Sequence, residues 1–392
     1  MAFGSSLGTL WVRLKADASQ YNRVMGGVAS GLRSTSRTVG RIGTTLTRHT
    51  KRLALATGAI GVASLKTFAD FESGFIGVQK TVDGTARELE GLKTGFVALS
   101  KEIPIAVTEL FRIGEAAGQL GIKTKNILEF SETMAQLGVT TNLSAEEAAT
   151  SLARFANITS MSQKNFDRLG ATIVALGNNF ATTEAEIVEM GLRIAGAGKL
   201  IGLSEAQILS FATAMSSVGI RAEAGGTAIS RIMLEMNSAV ISGTKELKIF
   251  AQVAGRTAQD FAELFRRDAA EALAVFVAGL GRVRNSGEDL KQVFARLGLD
   301  NVRILDTFNR LSGASDLVRK SLDLGNKAWE DNTALVEEAE KKFKSFGSQM
   351  KILWNRIKDI ARIIGQDLAP LLIELGDWFR KNEQMIARWS RR

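Results

Sequence analysis

The stretch GEAAGQLGIKTKNILEFSETMAQLGVTTNLSAEEAATSLARFANIT, Gly114–Thr159, decides the fold class of this chain. Its apolar residues return every three or four positions, the period of a helix with one buried face, and glycines punctuate the runs. Ser144 followed three residues later by Glu147 is a capping-box pattern and predicts a helix start. Thr183 with Glu186, and Ser204 with Gln207, give the same signal downstream. Part of the stretch also recurs. Gly121-Ile122 aligns with Gly202-Leu203, Phe130 with Phe211, Met134 with Met215, and Gly138-Val139 with Gly219-Ile220, at a constant spacing of 81 residues. The spacing then shortens to 77, where Leu152-Ala153-Arg154 aligns with Ile229-Ser230-Arg231. Two related helical hairpins are expected, at about Gly121–Arg154 and Gly202–Arg231. Phe130, Met134, Phe211 and Met215 are their expected packing residues. Gly138 and Gly219 are expected to end helices or to take left-handed backbone.

Composition agrees with an all-helical chain. Of 392 residues, 45% are hydrophobic, enough for a real core, and only two are proline, so little interrupts long helices. Thirty-eight glycines break the helical runs into short pieces. There is no cysteine and only His49, which removes disulfides, thiolate chemistry and histidine clusters from consideration. No metal or cofactor is expected.

The flanks differ from the centre. Thr9–Asp17 alternates apolar and polar residues as a short strand would. From Tyr21 to Ala63 an apolar seam follows steps of four and three, the spacing of a coiled coil, with His49 in the seam. Between Asp17 and Asp70 there is no acid, while Arg33, Arg37, Arg41 and Arg48 lie off the seam, a basic face suited to an acidic partner or to DNA. The run Leu53–Leu65 is uncharged but too short for an ordinary membrane span. After residue 325 glycines become rare. Phe343, Phe346, Met350, Leu353, Ile357, Ile360 and Ile364 form a second apolar stripe, expected to be a packing face. Pro370 is expected to kink or restart that helix. The fold expected is all-α: a glycine-punctuated helical-hairpin core, residues 67–324, flanked by long amphipathic, coiled-coil-like helices in 1–66 and 325–392.

No catalytic constellation emerges. Gly191–Leu200, GLRIAGAGKL, carries a Gly-Lys pair but misses the spacing of a phosphate loop and has Leu200 where Ser or Thr would hold magnesium. The carboxylates cluster at helix starts and on solvated faces, as at Glu146-Glu147 and Glu337-Glu338. The chain is read as non-enzymatic.

Four stretches carry a resemblance. FADFESGFIGVQKTV (Phe68–Val82), Ala116–Thr159, LGNNFATTEAEIVEMGLRIAGAG (Leu176–Gly198) and IGLSEAQILSFATAMSSVGIRAEAGGTAISRIM (Ile201–Met233) resemble the core of phage tail tape measure proteins of the TP901 type; Leu297–Val318 is similar too. The resemblance implies a structural virion protein in the lumen of a phage tail. Such a protein templates the tube, sets its length, and leaves at genome ejection, with a host-cytoplasmic stage during assembly. It implies tail tube and tail tip or baseplate proteins as partners, tail assembly chaperones, self-association of about three to six copies, nonspecific DNA contact and contact with the host membrane during ejection. No catalytic residue carries over. Family members are commonly longer, so the alternative is a helical tail-tip or tube adaptor, or assembly scaffold, without a ruler role, with a membrane-active pilot function as a variant of it. Ala328–Ile364, poor in glycine, is the expected extended segment.

Overall fold

The computed structural model describes residues 50–389, with side chains described for 61–370 and at a few positions beyond. The expected strand at Thr9–Asp17, the seam up to His49, and Arg33, Arg37, Arg41 and Arg48 lie outside the described residues. Among the described residues every regular element is helical. A long helix α1 (Thr50–Thr81) leads into α2 (Ala86–Ser100) and α3 (Val107–Gln119). Then come α4 (Ile127–Thr140), α5 (Ala145–Thr159), α6 (Phe166–Asn179), α7 (Glu184–Leu200), α8 (Glu205–Ser217) and α9 (Ala222–Ser242). Short helices α10 (Lys245–Ala254), α11 (Ala258–Arg267), α12 (Ala269–Asn285), α13 (Leu290–Arg296) and α14 (Val302–Ser312) follow. The last three are α15 (Ser315–Asp331), α16 (Ala334–Phe343) and α17 (Phe346–Trp389). One compact unit begins at Ser64.

The helix starts are set locally. Ser144 and Glu147 exchange hydrogen bonds: the Ser144 N–H donates to Glu147 Oε2 at 2.9 Å, and the Glu147 N–H donates to Ser144 Oγ at 3.2 Å. Thr183/Glu186 and Ser204/Gln207 form the same box, as does Thr85/Glu88. Each box satisfies two of the amides that a helix start leaves without partners. The backbone and hydroxyl donors of Ser144 hold the Glu147 carboxyl below its ordinary range.

The internal recurrence is real at its first turn and fades after it. Gly121 and Gly202 both have left-handed backbone, φ +81° and +87°. In each, the following amide closes the same loop, Ile122 N–H to Ala117 O and Leu203 N–H to Gly198 O, both 2.9 Å. A Cβ at either φ would be strained, which is why glycine recurs there. Beyond this turn the two copies part. α4 packs on α5 as a hairpin, whereas α8 and α9 do not pack along each other. Instead α9 lies on α7 and α14, and α8 lies between α7 and α15. The second expected hairpin is therefore corrected to a pair of diverging helices. Gly219 ends α8 with φ +73°. Gly138 does not end its helix: α4 runs on to Thr140, and a Cβ on Gly138 would lie 2.7 Å from the Ala145 amide nitrogen. Glycine is needed there for close approach of α5.

The core is continuous through the compact unit. Phe71, Phe75 and Phe96 surround Phe111, with ring centroids 5.0–5.6 Å apart. Phe130 meets Phe166 edge to face at 4.7 Å. Further along, Phe250 packs with Phe261 and Phe276, and Phe308 bridges Phe276 to Phe294. Such aromatic pairs each add about 1 kcal/mol beyond the area they bury. Residue 325 falls inside α15, where Gly325 lies against Ser210 of α8. The segment Ala328–Ile364 is not one extended helix. It breaks at Asn332 (φ +53°) and again at Lys344–Ser345, and α16 is buried on α4 and α6 through Leu335 and Ala339. Arg168 of α6 fixes the first break by donating to Trp329 O at 2.8 Å.

Candidate functional site

Phe130 and Met134 are buried in α4, and Phe211 and Met215 in α8, so these four expected packing residues sit in the core. Phe343 is half-buried against it. The rest of the C-terminal stripe behaves differently, and it defines the most distinctive surface of the molecule.

α17 is amphipathic, and it is docked the wrong way round for a helix whose apolar face seeks the core. Phe346 is 82% exposed, Met350 46%, Trp354 56%, and Ile357 and Ile360 40% each. Ile363 is exposed as well, and Ile364 is half-buried. The buried residues are Ile352, Asn355 and Gly365, with Asp359, Arg362, Leu353 and Leu368 half-buried. Of the three fully buried residues, only Ile352 is a large apolar side chain. Helical periodicity explains the arrangement: Asn355, Asp359 and Arg362 are spaced four and three apart, on the side opposite Ile357, Ile360 and Ile364.

The polar face is matched to the end of α2. A helix C-terminus leaves its last carbonyls without intrahelical donors. Asn355 Nδ2 donates toward three carbonyls there, Ser100 O at 2.9 Å, Ile105 O at 2.7 Å and, more weakly, Ile103 O at 3.5 Å. Arg356 donates to Lys101 O at 3.0 Å. Lys101 Nζ reaches Asp359 at 2.6 Å, and Arg362 reaches the same carboxylate at 2.8 Å. The Arg362 guanidinium also lies 4.7 Å from the centroid of the Phe71 ring, a cation–π contact. Gly365 completes the fit. A Cβ there would run into the Ser64 carbonyl and lie 2.8 Å from Phe68 Cβ, so a side chain at 365 would push α17 off α1. A cleft lined by Phe71, Gly74, Ser100, Arg112, Asn355 and Asp359 marks the same junction.

Asp359 makes the junction pH-dependent. Burial by itself raises its carboxyl, but hydrogen bonds and charge from Lys101 and Arg362 outweigh burial and hold it below the ordinary aspartate value. Because the folded pKa is depressed, the ionised group supports docking above the unfolded value of about 3.9, and that support is lost as pH falls through it toward the folded pKa. Hydrogen exchange of the α17 amides is expected to accelerate below about pH 4 in the wild type. Asp359→Asn should be weaker by on the order of 1 kcal/mol at neutral pH, with the acid step flattened. An identical acid step in Asp359→Asn would show that another group controls it.

Asn355, Asp359 and Lys101 were not legible as contact residues. On a sequence, a polar helix face reads as a solvated one, and nothing local marks an asparagine that will meet carbonyls 250 residues away. The remaining surface offers no cation site: among the described residues no group of three or more His, Asp or Glu side chains could hold a metal ion. Nor is any described helix long and apolar enough to cross a membrane.

Comparison with known proteins places this surface in context. A family model described as phage-related minor tail protein matches residues 93–365, from the middle of α2 to the Gly365 contact of α17. A probable tape measure protein of Halomonas phage phiHAP-1 is 22% identical over 326 residues, which is 80% of this chain and 37% of that protein. The chain thus spans little more than a third of the length of the curated relative it matches. No solved structure matches. The matched region takes in α3–α16 with the docked part of α17, and covers more than half of the chain: this protein belongs to the phage-related minor tail protein family.

Proposed function

We propose that the chain is a tape measure protein, or the part of one that holds its folded core, acting as a structural and non-enzymatic component of the tail. In this reading α17 leads from the compact unit toward a helical bundle in the tail lumen, and the protein stays there until genome ejection. The observation that carries the proposal is the outward apolar stripe of α17. Phe346, Met350, Trp354, Ile357 and Ile360 face solvent within a few turns of one helix. A contiguous apolar stripe on a surface marks an interaction site. With the half-buried Leu353 in place of Trp354, the steps alternate four and three as in a coiled-coil seam, which suits pairing with other copies at the expected three to six per bundle. Tube and tip proteins, assembly chaperones, DNA in the lumen and the host membrane at ejection remain partners of this reading, supported by family membership and by the resemblance described above.

The compactness of α2–α16 favours one second reading. A folded core adds little length to a tube, so a tail adaptor or assembly scaffold would need no more than what is described. Tail length separates the two. A helix rises 1.5 Å per residue, so removing about 21 residues from α17 past the Gly365 contact, within 366–386, should shorten tails by roughly 30 Å if that segment lies extended. Electron micrographs of tails from the in-frame deletion measure it directly. Tails of unchanged length with defective tips would support the adaptor and end the ruler role of this segment.

A further inference from the structure

We infer that α17 is a releasable strap, held on the compact unit through its polar face and hinged at Lys344–Ser345. Three observations carry this. The first is the contrast on either side of the hinge. α16 is fixed by apolar burial, Leu335 and Ala339 each being 2% exposed. After Lys344 and Ser345, both exposed, the chain enters α17 with Phe346 almost fully in solvent. A Cβ on Gly347 would meet nothing within 4 Å, and the one side-chain bond described across the hinge is from Gln349 Nε2 to Phe343 O at 2.7 Å. The second is that α17 carries its own start signal: the Ser348 N–H donates to Ser345 Oγ at 3.3 Å. Lifting the helix therefore need not unwind its first turn.

The third is the chemistry of the dock. Asn355, Arg356, Asp359 and Arg362 hold α17 to Ser100–Ile105 and Phe71 by hydrogen bonds, ion pairs and one cation–π contact. Water can replace the hydrogen-bond and ion-pair partners when the strap lifts, and the apolar surface uncovered is confined to the neighbourhood of Ile352 and Phe71. Among the described large apolar residues of α17, only Ile352 is fully buried, with Leu353, Ile364 and Leu368 half-buried. Elements held this way open locally, at a fraction of the free energy that unfolds a core. Docked, α17 offers partners only its outward stripe. Released, it can be enclosed on every side, as a helix inside a bundle is. The inference goes beyond the proposed function and does not depend on it, because it concerns the isolated chain.

The full chain contains no cysteine, so a pair can be introduced cleanly. Arg87→Cys on α2 and Asp367→Cys on α17 place spin labels on two exposed positions either side of the dock. Pulsed electron–electron resonance on the otherwise wild-type chain should give one narrow distance. Adding Asn355→Leu with Asp359→Asn should create a longer, broader population at least tenfold above the wild-type level, while the thermal unfolding of the core stays unchanged. Arg356→Ala, a milder change, should give a smaller population of the same kind. The strap is overturned if neither variant shows the long distance. It is equally overturned if release and loss of the core occur together in both, because α17 would then be part of the core's cooperative unit.

Discussion

Gly279→Ala is expected to destabilise the compact unit by about 3 kcal/mol or more, although alanine is the better helix former by about 1 kcal/mol. Gly279 lies inside α12, where it faces the C-terminal end of α10. A Cβ there would collide with the Val253 carbonyl oxygen and sit 2.6 Å from its carbon. The obstacle is backbone, so no side chain can rotate away. α12 would have to move off α10, opening the aromatic cluster in which Phe250 and Phe276 lie 5.2 Å apart. Gly196 provides the control. It is also mid-helix, in α7, but a Cβ there meets nothing within 4 Å. Gly196→Ala should be neutral or stabilising by up to about 1 kcal/mol. For a unit that runs from Ser64 to Arg392 the first variant should lower the unfolding temperature by roughly 4 °C or more, and the second should leave it level or raise it slightly. Circular dichroism melts of the two variants side by side decide the matter. Equal melts would mean that the α10–α12 approach is looser than described.

The second large effect concerns association. Ile357→Glu with Ile360→Glu places two carboxylates in the middle of the outward stripe. Both side chains are 40% exposed in the single chain, so the change should leave the core melt within about 0.5 kcal/mol of wild type. In a bundle the same positions become buried, and an unpaired charge in an apolar seam costs several kcal/mol. Self-association should weaken by roughly 100-fold or more, at about 1.4 kcal/mol for each factor of ten. Sedimentation velocity across a concentration series reads this out. Retained association would move the self-contact away from the stripe.

These two experiments divide along the line between sequence and tertiary structure. Helix starts were legible because their cause is local: Ser144, Thr183 and Ser204 each bond within three residues of themselves. The pairing of Gly121 with Gly202 was legible as a recurrence, but left-handed backbone was expected at Gly138 and Gly219 and is found at Gly219, Gly121 and Gly202 instead of at Gly138. The apolar identity of Phe130, Met134, Phe211 and Met215 likewise followed from periodicity, and periodicity depends only on the chain.

Other features depended on what the chain folds against. Gly138 and Gly219 occupy aligned positions, yet one permits the approach of α5 and the other turns the chain, because the neighbours differ. α4 and α5 close a hairpin while α8 and α9 diverge, since α14 and α15 offer the second pair other surfaces. The stripe through Met350, Ile357 and Ile364 was correctly read as apolar, but periodicity cannot say which face of a helix meets the core. Here the open carbonyls at the end of α2 select Asn355 and Asp359, and Gly365 permits the close contact with α1. The sequence alone determined that these segments are helices and where α5, α7 and α8 begin; the tertiary structure decided that the last helix turns its polar side inward, because unsatisfied carbonyls at its docking site need donors that the apolar side does not have.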